Sequence, residues 1–315
     1  MALLIAAAIP IVGHSEAPIL EFAGLVEIEA GVISGDGPSS SDLVVSTVEF
    51  GVESQLSDVA TAQVLFLYEE DGTPLEVDVA TLALGYDGSP LSVVIGQDYL
   101  PFGAYQSALV SDSFTLELGE TRETAAVLQY QQADIIGAIY TFNGDQDESD
   151  DHIQNIGARV GFVNDMLELS LDYTSNLLDS DGLQQGDYGL ATGTAAVAGA
   201  SVAGLLKLGT FSVYGEHLTA LNPILGDGGG AEPASSHVEL AMASGDFVYA
   251  IGYEMSDETA FLGLPEKRAR IGLSTSIDET IWLGFELGQS EDYSAAEGGS
   301  GDSNTQFIVQ LAAGF

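Results

Sequence analysis

The feature that most constrains this chain is a period-two alternation of apolar and polar side chains, repeated in segments of roughly ten residues. Leu20, Phe22, Val26, Ile28 and Val32 alternate with Glu21, Glu27 and Glu29. Val44, Val48, Phe50 and Val52 alternate with Thr47, Glu49 and Glu53, and Ala62, Val64, Phe66 and Tyr68 with Thr61, Gln63 and Glu69. Near the end, Thr305, Phe307, Val309, Leu311, Ala313 and Phe315 share one face, with Gln306 and Gln310 on the other. Successive side chains of an extended strand leave opposite faces, so each segment has one apolar and one polar side. No apolar run is long enough for a transmembrane helix.

Alternation alone also fits a soluble sandwich. The connections separate the two. Short links are expected near Ser57-Asp58, Asp87-Gly88, Ala133-Asp134, Asn164-Asp165, Leu208-Gly209, Gly245-Asp246 and Asp278-Glu279. Long ones are expected near 33–42, 69–76, 100–123, 143–152, 178–194, 220–235, 256–267 and 290–303. Short and long links in strict turn predict an all-β fold: a transmembrane antiparallel barrel of about 16 strands, with short periplasmic turns and long extracellular loops. The expected barrel spans 18–315 and sits in the bacterial outer membrane, against lipid and lipopolysaccharide. The chain closes on Phe315, an aromatic on the apolar face of the last strand. Residues 1–17 read as a signal peptide with an apolar core from Ala2 to Val12, or as an apolar segment that stays with the chain.

Composition sharpens the character of the barrel. There are 48 Asp and Glu against 6 Lys and Arg, a formal net charge of −42, yet 46% of the residues are apolar. A lipid-facing wall around a charged lumen reconciles the two. With no cysteine, thiol catalysis and disulfides are excluded. The acidity argues against nucleic-acid partners, which need basic patches. If the apolar parity faces lipid, Glu49, Asp98 and Asp172 point into the lumen, facing Arg159, Arg268 and Arg270. Such a lumen favours cations and small solutes over anions.

The long link 100–123 occupies the position at which porins commonly fold a loop inward. Its Asp112, Glu117, Glu120, Arg122 and Glu123 are the candidate constriction. Arg122 either serves a structural ion-pair network or faces Glu117 or Glu120 across the pore. Asp145, Asp147, Asp150 and Asp151 form a candidate Ca²⁺ or Mg²⁺ loop, although Asp150 and Ile156 stand where an EF-hand needs glycine and glutamate. The four histidines lack metal-ligand spacing, and no motif supports nucleophilic catalysis, so an enzyme is not expected.

Several segments together resemble the LbtU-type siderophore porins: EFAGLVEIEAG at 21–31, VLFLYEEDGTPLEVDVATLALG at 64–85, GQDYLPFGAYQSALVSDSFTLELGETRETA at 96–125, YTFNGD at 140–145 and GLPEKR at 263–268. The resemblance covers roughly residues 20–315. It implies a plug-less outer-membrane barrel with a part in ferric siderophore uptake. Porins of this size are often trimers, so analogy implies a homotrimer. The competing expectation is a surface structural or partner-binding barrel whose acidic loops hold divalent cations.

Overall fold

The computed structural model describes residues 19–70, 72–144, 152–184, 195–225 and 229–315. The expected signal segment and the acidic loop at Asp145, Asp147, Asp150 and Asp151 lie outside them.

The alternating segments form sixteen strands. The first eight are β1 (Ile19–Gly35), β2 (Ser40–Ser57), β3 (Ala60–Tyr68), β4 (Glu76–Gly85), β5 (Leu91–Tyr99), β6 (Arg122–Gln132), β7 (Ile135–Phe142) and β8 (Asn155–Val163). The rest are β9 (Leu167–Thr174), β10 (Gly199–Leu208), β11 (Phe211–Ala220), β12 (Ala234–Ser244), β13 (Phe247–Asp257), β14 (Lys267–Ser276), β15 (Ile281–Glu291) and β16 (Ser303–Gly314). Each pairs antiparallel with its neighbours, and β1 pairs with β16 to close the barrel. Closure leaves no free sheet edge, as a lipid setting demands. At the seam the Gly24 and Phe315 backbones exchange N–H···O bonds of 2.8 and 3.0 Å.

All seven expected short links are short. One expected long link is not: β1 and β2 keep pairing as far as Ile33 and Ser40, leaving only 36–39 to turn. The Gly/Ser-rich composition of 33–42 marks a turn, but the strand ladder, supported by β16 through Gly35, overrides it. Apolar outward residues such as Leu171, Val202, Val238, Ile251 and Ile271 are each more than half exposed and form an apolar belt round the outside of the barrel.

Burial along the strands shows where the lumen is filled. In β12 and β13 the outward residues are exposed and the inward ones buried in strict alternation. In β3 both faces are half-exposed almost throughout. Material therefore covers the inner face of the wall near β9–β15, while β2 and β3 are covered least.

That material comes from the long connections. Helix α1 (Phe114–Gly119), in the link between β5 and β6, packs on β11, β12 and β13. Above it lie a single 3-10 turn, Leu177–Asp179, and the short helix α2 (Asp181–Gln184), from the link between β9 and β10. Phe102, Leu118, Leu177, Leu178, Leu183, Val197, Leu218 and Ile224 form one buried apolar cluster. Each fully buried side chain of this size contributes about 1.5–3 kcal/mol. The wall contributes Leu218 of β11 to this cluster, and the loops bring the rest of it. Asp179, in the Asp-Ser-Asp-Gly stretch, is buried in this cluster's polar rim and accepts from Asn176 Nδ2 at 2.5 Å and Gln184 Nε2 at 3.3 Å.

Contact between α1 and α2 depends on one glycine. A Cβ at Gly182 would stand 1.8 Å from the Glu117 carbonyl oxygen, a backbone atom that cannot swing aside. We expect Gly182→Ala to separate α2 from α1 at a cost of about 1–3 kcal/mol. Faster proteinase K cleavage within 175–198, with the barrel core still resistant, is the measurement.

Candidate functional site

The link from β5 to β6 enters the barrel as an extended segment. Buried extended backbone carries N–H groups that no ladder satisfies. Here the wall supplies acceptors, and they are carboxylates. Gly103 donates to Asp172 at 3.1 Å. Ala104 and Tyr105 donate to the two oxygens of Glu216 at 2.7 and 3.1 Å. Ser107 Oγ and the Ala108 N–H both reach Glu239, at 2.7 and 2.8 Å. Val110 and Ser111 donate to Glu286 at 2.7 and 3.1 Å, and Ser111 Oγ does so at 2.5 Å. Phe114 at the start of α1 donates to Glu254 at 3.2 Å. The loop thus travels round the inner wall from β9 to β15, meeting a carboxylate on nearly every strand. Bonds to an ionised acceptor are shorter and about twice as strong as neutral ones.

Arginines hold the loop's carbonyls. Arg159 donates to Gly103, Arg268 to Asp112 and Arg270 to Ser111. Each is also anchored to the wall: Arg159 to Asp172 at 2.7 Å, Arg268 to Glu254 at 2.7 Å and Arg270 to Glu254 at 2.9 Å. Arg268 also lies over the Phe114 ring, 4.5 Å from its centroid. The wall is shaped for the apolar part of the loop as well. A Cβ at Gly252 or Gly272 would come within 2.7 and 2.6 Å of the Leu109 side chain, which is seated on this bare stretch of β13 and β14. The buried His237 ring sits edge-on to Tyr214 at 5.6 Å, with Nε2 3.4 Å from Glu239.

The expectation for Arg122 is corrected in part. It serves an ion-pair network, but it faces neither Glu117 nor Glu120. It binds Glu76 at 2.6 Å and Asp78 at 2.8 Å on β4. The cause is a bulge: Leu65 pairs with Val79 and Phe66 with Val77, so Asp78 is the extra residue and its side chain is re-aimed towards Arg122 and Tyr99. Glu123 likewise leaves the loop. It is buried on β6, opposite Asp98 on β5.

The open passage lies between the loop and the β1–β5 wall. On the loop side stand Asp112, Glu117 and Glu120, joined by Asp181 of α2. On the wall side, Glu49 of β2 points inward, level with Leu67 of β3. Desolvation inside the lumen, then Asp181, Asp112, Asp78 and Glu117, push Glu120 up to about 8. Desolvation, then Asp112, push Glu117 up to about 7. Asp181 is raised to about 6 by desolvation, against the pull of Arg122. Both sides of the opening are acidic. Meanwhile all six basic residues are engaged, Lys207 with Glu168 at 2.6 Å and Lys267 with Glu291 at 2.7 Å completing the set.

Of the residues expected to line the pore, Asp112, Glu117 and Glu120 lie on the inserted loop and its helix, whereas Asp172, Arg159, Arg268 and Arg270 hold the loop. The sequence reading misses Glu254, buried between two arginines, although Glu254 shares its inward parity with Gly252. It also misses Asp181, because a loop's fold-back leaves no periodic signal. Among the described residues, no group of three or more His, Asp or Glu is placed to hold a metal ion.

No protein-family model matches the chain. A UPF0422 protein of Legionella pneumophila (strain Philadelphia 1) is 25% identical over 332 aligned residues, covering 92% of this chain and 62% of its own length. A UPF0422 protein of Coxiella burnetii is 26% identical over 288 residues, covering 83% of this chain and 62% of its own. The chain therefore spans about 62% of the length of these relatives. Among solved structures, Salmonella typhi OmpF in its complex with daunomycin superposes with a TM-score of 0.71 at 12% identity, over 94% of this chain and 97% of that one. The outer membrane channel DcaP of Acinetobacter baumannii gives 0.68 at 14%, over 96% and 99%. In fold, the chain is a closed sixteen-stranded β-barrel of the kind these porins have.

Glu286 is the sharpest probe of the clamp. Glu286→Ala leaves the Val110 and Ser111 N–H groups without acceptors, at about 1–3 kcal/mol for each donor that stays buried. We expect residues 106–113 to lift from the wall, read as flickering and a wider spread of single-channel conductance in planar bilayers.

Proposed function

We propose that this barrel is a water-filled channel of the bacterial outer membrane that prefers cations. The observation that carries the reading is the division of charge. Every lysine and arginine is engaged with a carboxylate, while Glu49, Asp112, Glu117, Glu120 and Asp181 gather around the passage. A narrow aqueous path in a low-dielectric wall strengthens their field, enriching cations and excluding anions. The same field opposes the siderophore cargo suggested by the sequence resemblance, because ferric complexes of carboxylate siderophores are anionic. The reading as a surface barrel that binds divalent cations rests on the acidic stretch 145–151, which lies outside the described residues.

Reversal potentials in a KCl gradient test the proposal. We expect permeability to K⁺ above that to Cl⁻, with the ratio reduced severalfold in the double variant Glu117→Gln, Glu120→Gln. Dominant Cl⁻ current would overturn the reading.

The preference is expected to depend on pH within the neutral range. Glu120 and Glu117, raised to about 8 and 7, and Asp181, raised to about 6, are charged above those values and neutral below them. Lowering pH from about 9 to about 5 takes one charge from the passage at each step, so the K⁺/Cl⁻ ratio falls in stages. An ordinary carboxylate rim would hold its selectivity down to about pH 5.

A further inference from the structure

One part of the passage is not explained by small inorganic cations. A cavity of about 720 Å³ begins at the acidic opening, where Asp98, Asp112 and Glu120 line it, and continues under the loop towards the short-turn end of the barrel. There the lining changes. Ile136, one residue into β7, Val163, the last of β8, and Leu205, near the end of β10, project into it. All three lie on the inward parity: Val163 pairs with Glu168, and Leu205 with Glu168 and Tyr214.

These side chains do not close a core. Val163 is 37% exposed, and Ile136 and Leu205 are half-buried. Apolar surface left facing water inside a channel forgoes roughly 25 cal/mol per Å² of burial, and an uncovered apolar patch marks a surface that meets something. The charged groups nearby are already engaged: Arg159 with Asp172, and Glu168 with Lys207 and with Gln106 at 3.0 Å. What remains available is a carboxylate opening at one end and an aliphatic wall at the other, in a volume suited to a small molecule.

We propose that the channel takes organic cations, ammonium ions with an apolar body. The carboxylates at the opening hold the ammonium group, and Ile136, Val163 and Leu205 receive the alkyl part under the loop. This rests on the cation-selective reading and adds a substrate class to it.

The full chain, reconstituted in planar bilayers carrying K⁺ current, is exposed to ethyl-, butyl- and hexylammonium chloride from the long-loop side. The block dwell time is expected to lengthen along the series, by up to roughly fourfold for each methylene that reaches the aliphatic wall. In Leu205→Gln and, separately, in the milder Val163→Thr, the ratio of hexyl to ethyl dwell times should shrink. A ratio taken within one channel is indifferent to changes in that variant's conductance. Equal dwell times along the series, or a ratio that both variants leave intact, would overturn the inference. If K⁺ still outpaces Cl⁻ in that case, the cation reading survives and only the apolar subsite falls; if Cl⁻ carries the current, the cation reading itself falls.

Discussion

A loop can be buried inside a barrel only if its peptide groups find partners there, and in this protein the partners are wall carboxylates. Seven backbone N–H groups, from Gly103, Ala104, Tyr105, Ala108, Val110, Ser111 and Phe114, donate to Asp172, Glu216, Glu239, Glu286 and Glu254. Each acid sits on a different strand, so the loop's path is written into the wall. Three arginines then hold the carbonyls, and bare glycines on β13 and β14 give Leu109 its seat. With the loop laid against one half of the wall, the other half is left to water.

This division gives two meanings to a chemically uniform lumen. On the β9–β15 side, acids are structural acceptors, buried and bonded. On the β1–β5 side and along the loop's free edge, acids meet the passage with no basic residue released to balance them. A constriction with opposite charges on opposing faces would sort solutes by dipole. Here both faces carry the same sign, which is why the proposed selection acts on net charge first.

Much of the barrel was legible in the sequence, because lipid on one side and a polar lumen on the other impose a period of two on every strand. Segregated link lengths gave strand number and direction, and parity alone placed Glu49, Asp98 and Asp172 inside. Contacts that depend on the loop's path were not legible. Nothing local in 100–123 says that Val110 will meet Glu286, 176 residues later in the chain. Arg122 was read against its sequence neighbours, whereas a one-residue bulge at Asp78 chose its partner. Leu177, Leu178 and Leu183 carry no local signal of their burial, since a core assembled from separate links has no periodicity to betray it.

The complete engagement of the six basic residues has a consequence for the medium inside the channel. A lumen with no positive side chain to spare must draw its neutralising charge from solution. On the proposed reading it behaves as a Donnan compartment, filled with mobile cations at a concentration set by its own carboxylates and only weakly by the bath. Diluting the surrounding salt empties bulk water of ions much faster than it empties this pore, so current through it falls less than in proportion to external salt.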